Sequence, residues 1–457
     1  MSLVKQLGSC QRSPGTLLFA VMKPRPNKSL EFFRRLGAIV ENEWRARNYD
    51  DRVFPEIAAE ALAKHSPVGR VDPWQIIRSL SSRHPLPGQQ DVEGSFGDPP
   101  ITLFMGTRFY IDIYFWLDGT TAIHQHAFAG AFQVLLGSSI HSHYGFTNER
   151  HINSQLLLGR LFLKDVQLLS IGDIKQIVPG SSYIHSLFHL DRPSATITVR
   201  TAGLPYAQPQ FNYRKPGIAF DPFYREPVMT KKTQSVHLLL RMRHPDADSL
   251  IAEMLATSDM YTDFVILDTV YQNLRSNAME KFLGVSRGTD RFKKLLGVAR
   301  AKHGRFVDYF PPAFLETERQ TELVQRRNYV HEAEHRFFFA LLLNVTGRKH
   351  ILNLVRQRFP NKPPVETILD WIEELSQTKA FGSHEPNALG IEGFGAQHLF
   401  VLECLLKNKS RVQTLKELRS IYKTAEPKTN REISEIYDSL LKSRIFSPLF
   451  AQAKPKR

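Results

Sequence analysis

Two histidines one residue apart, His124 and His126, carry the most suggestive chemistry in this chain. In an extended strand, residues i and i+2 point to the same face, so both imidazoles can be presented to one point. A third histidine would complete a metal-binding face. His185 is the best-placed candidate, because it closes the segment Gly172-Asp-Ile-Lys-Gln-Ile-Val-Pro179-Gly180-Ser-Ser-Tyr-Ile-His185. The turn residues in that segment bring a later strand back beside an earlier one. His189 is the substitute third ligand. Neutral imidazole binds iron, zinc, nickel and copper, and three protein ligands leave positions open for substrate, water or dioxygen.

Other residues belong to the same neighbourhood. If no bulge intervenes, strand parity from His126 through Ala131 and Gln133 brings His141 and His143 to the inner face, as outer donors, acid–base groups or substrate contacts. Ordinary cross-strand packing is the competing reading for that pair. Arg200 carries a planar fork suited to a substrate carboxylate or phosphate, or to a salt bridge with an acid such as Asp112. Arg200, Thr198 and Tyr183 are the expected catalytic groups, with Gln133, Arg200, His141 and His143 as substrate contacts. A second motif, His331-Glu332-Ala-Glu334-His335, matches the spacing at which two helical histidines bind zinc. The charges of Glu334 and Arg336 beside the second histidine favour a polar helix face that packs through Phe337, Phe338 and Leu341.

These residues need elements to position them. Helical spacing of apolar residues predicts helices over residues 29–44 and 54–64, with Pro55 suited to a first turn, and a short helix after Asp72-Pro73. A Pro- and Gly-rich loop is expected over 85–100. From 101 to 202 the pattern becomes short β-prone runs, at 101–105, 108–117, 131–136, 140–146, 155–163, 166–170 and 195–201. Turn residues separate them at Asp118-Gly119, Gly137-Ser138, Gly172-Asp173 and Pro179-Gly180, which suggests a sandwich or barrel. Residues 203–227, rich in Pro, Tyr and Phe, are expected to wrap over it. Helical periodicity then returns at 247–256, 336–343, 365–375 and 397–406, with Pro363-Pro364 as a helix start.

A chain of 457 residues is expected to form two or three domains. Its 42% hydrophobic and 23% charged residues are ordinary for a soluble globular protein. Cys10 and Cys404 cannot build a disulfide framework, and the apolar run 16–22 is too short for a spanning helix and lacks a signal-peptide layout. A cytoplasmic setting without membrane attachment is therefore expected. The net charge of +15 raises the weight of an anionic partner, whether nucleic acid, acidic protein or membrane surface, yet only the tail 454–457 forms a compact basic run.

The stretch Arg108-Phe-Tyr-Ile-Asp-Ile-Tyr-Phe-Trp-Leu-Asp-Gly-Thr-Thr-Ala-Ile-His124-Gln-His126, followed by the His185 segment, resembles the two metal-binding motifs of the cupin superfamily. Within it, the three-histidine thiol dioxygenases of the cysteine dioxygenase type are the nearest likeness, and residues 193–200 resemble their closing strand. The resemblance implies a central cupin barrel, at 101–228; with the helical periodicity on either side, the expectation is an α+β protein with an N-terminal helical region at 1–100 and an α-helical domain at 229–457. The resemblance further implies His124, His126 and His185 as ligands of Fe(II), with zinc, nickel or manganese as alternatives, and an oxygenase acting on a small-molecule substrate and dioxygen. The chain departs from that pattern in several places. Gly130 stands where many cupins carry a glutamate ligand. Ala131 stands where animal cysteine dioxygenases carry a cysteine, and Thr198 and Arg200 where they carry histidine and tyrosine. The departures count against free cysteine as substrate. Two alternatives remain open: a non-catalytic cupin whose basic helical domain engages a protein or nucleic acid, and a redox-neutral metal enzyme.

Overall fold

The computed structural model describes residues 28–450, apart from 82–85, 91, 93–95, 118–120, 205–208, 276–286, 380–385 and 423–426. The run 16–22, Cys10, the Asp118-Gly119 turn and the tail 454–457 lie outside the described residues. The architecture is α+β, with helices, then a β-barrel, then many helices. No helix among the described residues is long and apolar enough to cross a membrane.

Helix α1 (Lys28–Ala46) buries Leu30, Phe33, Leu36, Val40 and Trp44, a stripe at three- and four-residue spacing that makes one apolar face. Helix α2 (Phe54–Lys64) begins with Pro55 in its first turn, where a missing N–H costs nothing. The Asp72 carboxylate accepts the Trp74 N–H at 2.9 Å and so caps α3 (Pro73–Ser79).

Two antiparallel β-layers follow. The first is a five-stranded sheet in the order β1-β2-β9-β4-β7, formed by Pro100–Met105, Phe109–Trp116, Ser194–Thr201, Gly130–Leu136 and Ile174–Ile177. The second closes as a ring, β10-β11-β6-β5-β8-β3, formed by Asn212–Arg214, Ile218–Phe220, Leu156–Leu169, Ser139–Asn153, Ile184–His189 and Ile123–His124. Alternation decides which side chains enter the barrel. Along β2 and β9, Phe109, Ile111, Ile113, Phe115, Ala195, Ile197 and Val199 turn outward to join the apolar faces of α1 and α2 in one core. Their alternates Tyr110, Asp112, Tyr114, Trp116, Thr196, Thr198 and Arg200 turn inward, and Trp116 stacks on His189 of the opposite layer at 4.4 Å.

The ring is clad on its outer side by the C-terminal helices. Ile140, Val166 and Phe188 share a core with the helix Ala333–Asn344, which is buried almost all round. Leu156, Leu158 and Ile218 share another core with the helices between 227 and 328. The Tyr144 hydroxyl donates to the Asn344 carbonyl at 3.3 Å, across that junction.

Several strands depart from expectation. The runs 155–163 and 166–170 form the single strand β6, and β5 continues to Asn153, because register shifts let the β5–β6 ribbon absorb irregular residues without ending. The stretch expected to wrap over the barrel contributes two of its strands. Residues 212–214 and 218–220 are too short to announce themselves by periodicity, yet β10 pairs with β3, Asn212 opposite His124, and with β11 it closes the ring.

Candidate metal centre

His124 lies on β3, His126 follows two residues later, and His185 pairs directly with His124 on the neighbouring β8. One ligand nitrogen from each falls within 4.8 Å of the others, and all three residues are buried. His126 Nε2 and His185 Nε2 stand 2.8 Å apart. Two imidazole nitrogens each about 2.1 Å from a common cation at a right angle would be separated by about 3 Å, so this spacing suits ligands of one ion. His124 Nδ1 bonds the Ala122 carbonyl at 2.7 Å, which requires the proton on Nδ1 and leaves the lone pair on Nε2. That Nε2 is buried without a hydrogen-bond partner, as a vacant ligand atom would be. Burial holds the pKa of His124 below the usual histidine value and those of His126 and His185 well below it, keeping the imidazoles neutral. The donor set fits a first-row divalent ion.

The absence of a fourth, carboxylate ligand at position 130 has a steric cause. A Cβ on Gly130 would lie 2.2 Å from the Val199 carbonyl oxygen and 3.0 Å from the Arg200 Cα, both backbone of the adjacent β9. No side chain fits there while β4 and β9 stay paired.

The remaining candidates divide between the two faces of the barrel wall. His141 is brought to the cluster, its Nε2 3.0 Å from His185 Nδ1 and 3.3 Å from the Tyr183 hydroxyl. His143 packs against His141 at 4.3 Å and Tyr183 at 5.1 Å between ring centroids, and is only half-buried. Arg200 stacks its guanidinium 3.4 Å from the centre of the Phe128 ring, and that ring lies 4.5 Å from His126. Its Nε is buried with no hydrogen-bond partner. Thr198 faces inward from β9, opposite Asp112 in the ladder, and the Tyr114 hydroxyl donates to Asp112 at 2.9 Å.

Gln133 is elsewhere. Phe132 and Val134 occupy the inner face of β4 with Phe128 and Leu187, so Gln133 points outward. There it accepts from the Ser66 hydroxyl at 3.2 Å and donates to the Gly172 carbonyl at 2.9 Å. A place for Gln133 on the substrate side is therefore corrected. His189 shares the parity of His185 but is held away from the cluster, stacked on Trp116 with Nδ1 bonded to Ser194 at 2.8 Å and Ser139 at 3.1 Å. His331 precedes its helix, which starts at Ala333, while His335 is buried against Glu374 at 2.7 Å, so the two do not share a helical face. Sequence does not single out Phe128 or the Ala122 carbonyl, and it offers Asp112 only as a salt-bridge partner for Arg200. Asp112 carries a readable signal, because it falls on the face of β2 that does not hold Ile111 and Ile113.

No family model and no curated protein matches the chain. Solved structures of similar local fold include a cupin 2 conserved barrel protein from Rhodopseudomonas palustris, 16% identical over 27% of this chain and 74% of that one, TM-score 0.17. A conserved protein with a double-stranded β-helix domain from Klebsiella pneumoniae is 15% identical over 28% of this chain and 87% of that one, TM-score 0.17. DMSP lyase from Ruegeria pomeroyi is 14% identical over 39% of this chain and 94% of that one, TM-score 0.21. On its own geometry, this chain is an α+β protein whose two-layered β-barrel, clad by helices, converges three buried histidines on one point.

Proposed function

We propose that the protein is a metal-dependent enzyme, a mononuclear non-haem Fe(II) oxygenase acting on a small polar substrate, with thiols among the candidates. The observation that supports this reading is the donor set itself: three neutral imidazoles converging inside a barrel, with no carboxylate in the metal-ligand group. Iron bound there would supply the redox chemistry that joins dioxygen to substrate. Arg200 offers a buried, unpartnered Nε–H to an anionic substrate group, and Phe128 packs against both it and His126. Burial raises the Tyr183 pKa above the usual phenol value, so its hydroxyl keeps its proton. Thr198 and the Asp112–Tyr114 pair line the same interior with polar groups.

The test is metal analysis of protein purified anaerobically, set beside the double variant His124→Ala, His126→Ala. About one iron per chain in the parent, lost in the variant, together with substrate-dependent oxygen uptake, is the expected outcome. Stoichiometric zinc, nickel or manganese with no oxygen uptake would replace the oxygenase with a redox-neutral metal enzyme. No bound metal after reconstitution would end the metal reading.

A further inference from the structure

The three histidines of the cluster are held in three different ways. His124 is fixed by a backbone carbonyl. His126 Nδ1 is buried with no hydrogen-bond partner. His185 leans on another imidazole, His141, whose Nε2 lies 3.0 Å from His185 Nδ1. His141 is itself 1% exposed, so water is a poor competitor for this contact.

A ligating His185 fixes the protons at this contact, at the cost of leaving the His141 proton on Nδ1, which is buried with no hydrogen-bond partner. For Nε2 of His185 to face the point shared with His126, its lone pair must be on Nε2, and the ring proton must then be on Nδ1. That proton donates to His141 Nε2, which must be the bare nitrogen of His141. A neutral imidazole offers one acceptor lone pair, and two donors approach it: His185 Nδ1–H at 3.0 Å and the Tyr183 hydroxyl at 3.3 Å. The shorter contact is the one to an N–H, whose ordinary distance is already longer than that of an O–H, so His185 holds the better claim.

We propose that His141 is a positioning residue that fixes His185 in the tautomer a metal ligand requires, in the place a carboxylate or carbonyl commonly fills behind a ligating histidine. This rests on the metal reading above. It also makes Tyr183 the displaced donor, with its hydroxyl free to turn toward a substrate in the barrel.

The test uses the full-length chain with labelled histidine nitrogens. Long-range proton–nitrogen correlation spectra of metal-free protein report which ring nitrogen of His185 is protonated, the signal being assigned by its loss in His185→Gln. The expected result is protonation at Nδ1 in the parent and in His141→Gln, whose amide oxygen still accepts, and a shift toward Nε2 in His141→Leu. Zinc titration should show binding weakened by about 10- to 100-fold in His141→Leu and within about threefold of the parent in His141→Gln. Protonation at Nε2 in the parent, or an unchanged tautomer and zinc affinity in His141→Leu, would overturn the assignment. Should the parent bind no zinc or iron, the metal reading fails by itself, and the tautomer of metal-free His185 still decides the role of His141.

Discussion

Lowering the pH should unfold the barrel well before its carboxylates titrate. His124, His126, His141, His185 and His189 are all buried, and burial is the first cause of a lowered pKa at each, reaching about 3 for His189. In the unfolded chain each returns to about 6.5. The folded protein therefore keeps these rings neutral while the unfolded chain takes up protons. Their stability is intact above about pH 6.5 and is lost as the pH falls from there toward the folded values. One unit below the unfolded pKa, a ring that stays neutral costs about 1.4 kcal/mol; this holds for His189 with its folded value of about 3, and the other four rings push the same way, for a total of several kcal/mol at pH 5.5. That compares with a whole-domain stability of about 5–15 kcal/mol. Urea titrations of metal-free protein at pH 7.5, 6.5 and 5.5, followed by near-ultraviolet circular dichroism, should show the midpoint falling steeply at the lowest pH. Bound metal should raise the midpoint at pH 7.5 and steepen the fall, since protons and metal compete for the same lone pairs. A midpoint unchanged between pH 7.5 and 5.5 would refute the buried, neutral state of the cluster.

Two substitutions probe the barrel wall. Gly130→Ala forces β4 away from the Val199 carbonyl, which a Cβ would meet at 2.2 Å. The expected cost is about 3 kcal/mol, the upper end for overpacking, read as a lower urea midpoint together with weakened metal binding. Gln133→Leu strips partners from Ser66 and Gly172 on the outer face, and should cost about 1–2 kcal/mol while leaving metal content as in the parent. Loss of metal in that variant would return Gln133 to the inner face.

Much of this was legible in the residues because short-range rules govern it. Periodicity located α1 and α2, and the i, i+2 rule placed His124 and His126 on one face. Glycines at expected turns do adopt left-handed backbone, with φ of 78° at Gly137 and 96° at Gly172. What failed depended on partners distant in sequence. Parity carried from His126 to Gln133 assumes one unbroken strand, but β3 ends at His124 and β4 starts at Gly130, so the count restarts between them. The strands β10 and β11 owe their existence to pairing with β3 and β6, and no local pattern of three residues announces that. The zinc-like motif failed for a local reason: Glu332 has extended backbone, with ψ of 129°, and holds His331 off the helix.

The cladding of the barrel has a consequence for how the chain can be divided. A sheet whose outer face is apolar loses its solubility once the helices that cover that face are taken away. Here Ile140, Val166 and Phe188 need the C-terminal helices, as Ile111, Ile197 and Val199 need α1 and α2. Residues 100–220 excised alone would carry their histidines intact on a sheet with greasy backs, and would aggregate before any ligand could find them. The helices on either side are thus the outer coat of a sandwich, and cuts for expressing a smaller fragment belong outside them.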